Sequence, residues 1–161
     1  MQRSTQGCIF TYFSMRGNTT KQVERLQIRK CRVGDLPALI NIWHNVGLTI
    51  GLSDTIPEMR RLLRRNPETC LVGFVDSKVV GGVMGGFDGR RGLVHHLAVD
   101  PDWQGRGFGR ALMSELEKRF QQRQVVKMSF WVEARNQPII DFYRHLGYEL
   151  RDLITMSKTL R

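Results

Sequence analysis

The sequence predicts an α/β sandwich around a mixed sheet, with elements in the order β-α-α-β-β-β-α-β-α-β. Three observations carry that expectation. Some apolar runs alternate residue by residue while others recur at spacings of three and four, which separates strands from helices. Three strand-like runs in the middle of the chain are joined by "DS" and "DGRR", both with the chemistry of tight hairpin turns. The chain has 161 residues and neither internal repeats nor a linker, so it is read as one domain able to bury roughly two thirds of its unfolded surface.

The elements follow in order. Residues 1–25 are rich in Gln, Ser, Thr and Gly without period; they are expected to form a disordered tail, and Met15 is an alternative start. "LQIRKC", Leu26 to Cys31, alternates as a strand does. Next, Leu36, Leu39, Ile40 and Trp43 fall on one face of a helix, with Asp35 as its expected N-cap and Gly47 as its stop. "TIPEMRRLLRRNPE" is a second, short helix with Pro57 near its start and a basic edge of Arg60, Arg61, Arg64 and Arg65. "TCLVGFVD", "KVVGGVMGGFD" and "GLVHHLAVD" form an antiparallel meander. A helix is expected from Gly107 to about Gln122, with Leu112, Met113, Leu116 and Phe120 on one side. "VVKMSFWVE" is a strand, "NQPIIDFYRHLG" a helix stopped by Gly147, and "YELRDLITMSKTL" a closing strand.

Composition narrows the function. With 41% hydrophobic and 25% charged residues the chain is ordinary for a soluble globular protein, and no apolar run approaches the ~18 residues of a membrane span. "GCIFTYF" is too short and too aromatic for a signal-peptide core, so a cytoplasmic location is expected. Cys8, Cys31 and Cys70 are widely spaced and lack CxxC or HxxxH partners, which suggests neither a disulfide framework nor a metal site. The net charge of +10 suits an anionic cofactor, an acidic partner or nucleic acid. Interleaved aromatics and nucleic-acid motifs are missing, which ranks a nucleic-acid-binding domain last.

Chemistry is concentrated in "VDPDWQGRGFGRALM". A helix N-terminus entered through glycines offers unpaired N–H groups and partial positive charge to an anion. No GK[ST] follows, against a P-loop. The third glycine is Gly109 where a dinucleotide fingerprint requires position 110, against NAD. The spacing that fits is Gln-x-x-Gly-x-Gly, Gln104 to Gly109. With "NQPIIDFYRHLGY", Asn136 to Tyr148, it closely resembles the GNAT superfamily of acyl-CoA-dependent N-acyltransferases over roughly residues 26–160.

That resemblance implies a GNAT-like, mostly antiparallel sheet flanked by helices on both faces, and acetyl-CoA as cofactor. It implies backbone contacts to the coenzyme A pyrophosphate from Gln104, Gly105, Arg106, Gly107, Phe108, Gly109 and Arg110, and amides of Leu97, Ala98 and Val99 for pantetheine and the thioester carbonyl. It also implies a cofactor contact from Asn136 and Tyr143, with Tyr143 as proton donor to the leaving thiolate. The base is open. His95 and His96 stand where many family members carry a strand carboxylate, and strand alternation turns at most one of them to the acceptor. Glu133 is the other candidate. Arg110, Arg106 and Arg135 cluster in sequence around the presumed phosphates. "LTIGLSD", Leu48 to Asp54, is expected to line the acceptor pocket. The expected activity is acetyl transfer to a primary amine by direct attack, the acceptor being a small molecule or a protein amine. A non-catalytic acyl-CoA-binding or sensing module is the alternative, and a homodimer is compatible with the fold class.

Overall fold

A computed structural model describes residues 25–160, so the expected tail lies, but for Arg25, outside the described residues. The elements are β1 (Gln27–Lys30), α1 (Leu36–Asn45), α2 (Ile56–Arg65), β2 (Cys70–Val75), β3 (Lys78–Phe87), β4 (Gly92–Val99), α3 (Phe108–Gln122), β5 (Met128–Ser129) and α4 (Gln137–His145). Packing divides the chain between Phe130 and Trp131 into a larger unit that holds the sheet and a smaller one that holds α4.

In the larger unit the strands lie in the order β1-β2-β3-β4-β5. The first four are antiparallel and β5 is parallel to β4. The β2–β3 turn carries positive φ at both Asp76 and Ser77, the backbone of a turn whose twist matches that of the strands it joins. Helices cover both faces because each brings a full apolar stripe. Leu39, Trp43, Met59 and Leu63 of α1 and α2 bury against Val72 and Met84. On the opposite face α3 buries Leu112, Leu116 and Phe120. The sheet admits them closely only where side chains are missing. A methyl on Gly82 would stand 2.6 Å from Leu39, and one on Gly85 would stand 2.6 Å from Leu116 and 2.7 Å from the Thr69 carbonyl. Gly85→Ala should therefore cost about 1–3 kcal/mol through overpacking. Thermal unfolding, at roughly 2–4 °C per kcal/mol for a chain of this size, checks this.

Three local expectations are corrected. Asp35 stands at the N-cap of α1 as expected, but its side chain makes no capping bond to that helix. Its carboxylate is taken by the Arg29 guanidinium at 2.7 and 2.9 Å and by the Arg32 N–H at 2.7 Å, which ties β1 to the turn ahead of the helix. The strand expected over "VVKMSFWVE" shrinks to Met128–Ser129, paired with Gly92 and Leu93. Val126 is 96% and Trp131 63% exposed, so its alternating apolar residues do not share a buried face. "YELRDLITMSKTL" has no regular structure, and Leu150, Leu153, Ile154, Met156 and Leu160 are exposed: alternation alone does not make a strand without a neighbour to pair with. In the smaller unit α4 begins with Pro138 in its first turn and ends before Gly147, whose φ of 90° stops it.

Candidate active site

The glycine loop forms the expected strand-to-helix entry. Gly105 and Gly107 have φ of 71° and 80°, and Gly107 is the N-cap of α3, its carbonyl accepting from the Ala111 N–H. The first-turn N–H groups of Phe108, Gly109 and Arg110 precede any intrahelical acceptor and so stand ready for an external one. A Cβ at Gly105 or Gly107 would meet nothing within 4 Å, so the backbone is open where a ligand would approach. The loop is braced from below. Phe108 is buried and stacks on Trp103 at 6.0 Å, and Arg106 lies over the same indole at 4.5 Å while donating to the Asp102 carbonyl. Gln104 Nε2 donates to the Val99 carbonyl at 2.9 Å, which fastens the loop to the end of β4. These residues fit a diphosphate held by backbone amides, with Arg110 exposed beside them.

The β4 strand departs from regular alternation. Val83 pairs with Leu97 but Gly85 pairs with Val94, so Met84 alone opposes both His95 and His96. One extra residue on β4 makes a bulge and reverses which side chains face which way. Consequently both histidines lie on the α1/α2 face, against the expectation that at most one would. The His95 ring lies over Gly86 of β3: a methyl there would come within 3.0 Å of its Nε2 and 3.7 Å of Leu62 on α2. The His96 Nε2 is 2.8 Å from Asp54 Oδ1, and its ring lies 4.6 Å from that of Trp43. Burial pushes the His95 imidazole below its ordinary value of 6.5, and neighbouring His96 adds to this while Asp54 opposes it. His95 is thus neutral at neutral pH, and although protein atoms crowd its ring the residue keeps an exposed surface from which it can accept a proton.

The bulge also sets the edge of the strand. The Asp100 N–H donates to the Val80 carbonyl, so by alternation Ala98 turns its amide to β3, while Leu97 and Val99 turn theirs outward. The strand therefore offers two of the three amides expected of it. On that outer edge β5 pairs only with Gly92 and Leu93.

In the smaller unit, Asn136 is the N-cap of α4 and its carbonyl accepts from the Ile140 N–H. Tyr143 is half-buried, with Phe142 and Tyr148 edge-on at 5.1 and 5.7 Å, and burial pushes its phenol up to about 12. Arg135 donates to the Glu133 carboxylate at 2.7 Å, which engages both of those side chains with each other. Sequence reasoning placed Asp54 only within a pocket-lining segment, and its bond to His96 was not foreseen. Among the described residues no group of three or more His, Cys, Asp or Glu side chains is gathered as a metal ion would require, and no helix is long and apolar enough to cross a membrane.

A helix start entered through glycines after an antiparallel meander, with a short parallel strand at the sheet's edge, defines a mixed α/β fold that presents backbone amides to an anion. Residues 37–148 match the family model described as the Acetyltransferase (GNAT) family, and the chain belongs to that family. It is an acetyl-CoA-dependent N-acetyltransferase by class. An acetyltransferase of Pectobacterium atrosepticum is 38% identical over 135 residues, which span 84% of this chain and 96% of that protein. Among solved structures, Ard1 from Thermoplasma volcanium superposes with a TM-score of 0.73 at 23% identity, covering 79% of this chain and 84% of that one. The PaiA N-acetyltransferase from Thermoplasma acidophilum, in complex with coenzyme A, gives 0.71 at 19% identity, over 80% and 92%. Both likenesses are of fold.

Proposed function

We propose that residues 26–161 act as one acyltransferase domain that moves the acetyl group of acetyl-CoA onto a primary amine by direct attack. The observation that carries this reading is the β4 bulge, which turns His95 and His96 to one face beside the edge where Leu97 and Val99 direct their amides. When bound, acetyl-CoA supplies a thioester carbonyl open to attack and a sulfur that departs as thiolate. The amides of Gly105, Gly107, Phe108, Gly109 and Arg110 hold its diphosphate, with Gln104 and Arg106 keeping the loop in shape. The amides of Leu97 and Val99 are the donors for pantetheine and for the carbonyl oxygen. His95 takes the proton of the amine. Its lowered pKa keeps it in the accepting form, whereas His96 already has a partner in Asp54. Glu133 is a poorer base because Arg135 holds its carboxylate. Tyr143, kept protonated by burial, is the proton donor, and Asn136 at the start of the same helix contacts the cofactor.

The test is the pH profile of kcat/KM, which reports groups of the free enzyme. A base with a lowered pKa stays neutral further into acid, so the acid limb should have its midpoint below 6.5. His95→Gln should remove that limb and His96→Gln should leave it in place. An acid limb unchanged in His95→Gln would take His95 out of the mechanism.

A further inference from the structure

Resting on that reading, the geometry around His95 points to the chemical class of the acceptor. Helix α2 is the wall beside His95, since Leu62 lies against the same point of β3 as the histidine ring. Residues three and four apart share a helix face, so Leu62 is flanked by Glu58, Met59, Arg65 and Asn66. Arg61 is already paired with Glu58 at 3.1 Å. Arg65 has no carboxylate partner among the described residues. The helix ends at Asn66, whose side chain accepts from the Phe87 N–H at 2.8 Å, so the end of α2 is bound to the end of β3. From there the hairpin loop runs on through Arg90 and Arg91, whose side chains form no close ion pair among the described residues, although the Arg90 charge acts on Asp88. Asp88, the one acid of that loop, spends Oδ1 on the N–H groups of both arginines, and those bonds hold its carboxyl below the usual range. Asp54, the acid nearest His95 in the chemistry described, is held by His96.

Three exposed arginines thus stand on the chain at the end of the sheet, a few residues beyond Gly86, against which the His95 ring lies. At ~3.3 Å per strand residue their backbone is about 10 Å from that point. Guanidinium is suited to carboxylate and phosphate by its planar fork of donors, and repels a polycation. We infer that the acceptor is an amine that also carries a carboxylate or phosphate about 10 Å from its amino group, bound by Arg65, Arg90 and Arg91, and that polyamines are excluded. An acidic side chain a few residues after a peptide's N-terminal amine meets that description.

Thiol release from acetyl-CoA, measured over a set of acceptors, tests this. The set comprises tetrapeptides of one N-terminal residue whose following positions are Glu, phosphoserine, Ala or Lys, together with spermidine. The expected result is a kcat/KM for the Glu or phosphoserine peptide at least about tenfold above the Ala peptide, the size of one charge-assisted pair, carried in KM and lost at high salt. Which of the two leads tells carboxylate from phosphate. The double variant Arg90→Ala, Arg91→Ala should erase the preference with acetyl-CoA affinity unchanged. Turnover led by the Ala or Lys peptide, or by spermidine, would overturn the inference while the acetyl-transfer reading stands. A protein that binds acetyl-CoA yet acetylates no member of the set would overturn both.

Discussion

Gly107→Val should abolish measurable acetyl-CoA binding, a loss of at least about a hundredfold in affinity, while the protein remains folded. Two effects act together. The φ of 80° at this N-cap is one that a β-branched residue adopts only at a cost of about 1–3 kcal/mol, so the first turn of α3 is pushed from its present form. The new side chain also enters open space over the first-turn amides, where a Cβ now meets nothing within 4 Å. Because nothing is displaced from the core, the far-ultraviolet circular dichroism should be unchanged and the melting temperature only modestly lower. Titration calorimetry with acetyl-CoA is the direct readout. Unaltered affinity in a folded variant would mean that the anion is held elsewhere.

Tyr143→Phe should lower kcat by about a hundredfold or more and leave acetyl-CoA affinity nearly intact. Burial holds the phenol at about 12, so across the neutral range Tyr143 carries a proton to give. The substitution removes that proton while the ring keeps its edge-on contacts with Phe142 and Tyr148. A residue that only packs would show the reverse pattern, with turnover preserved. Single-turnover measurements separate the chemical step from product release and so decide between the two.

Much of the larger unit was legible in the sequence because its signals are local. The alternation of Leu26–Cys31, the three-four spacing of Leu36, Leu39 and Trp43 and the turn chemistry of Asp76–Ser77 each depend on neighbours in the chain, and each is found where expected. The glycine loop was legible for the same reason, since left-handed backbone at Gly105 and Gly107 is written in residue type. What was not legible depends on a partner strand. Met128–Ser129 is all of β5 because pairing, not alternation, decides where a strand lies, and the same holds for the unpaired stretch after Tyr148. The facing of His95 and His96 was misjudged because a bulge is a relation between β4 and β3, visible only once Met84 is seen to oppose two residues. Asp54 was likewise placed in a segment, but its bond to His96 spans 42 positions of chain.

The bulge has a bearing on how such a site can change over generations. Point substitutions can replace either histidine, but none of them removes the surplus residue that turns both to α1 and α2. Only the deletion of a codon for one of the two histidines would do that, and the core would scarcely register it. The pairs of Gly85 with Val94 and of Val83 with Leu97 would stand as they are, with one residue left opposite Met84, so Val94 and Ala98 would keep their buried places. The surplus residue is therefore something the core tolerates and does not require, and a lineage can shed or regain one histidine without disturbing the strands around it.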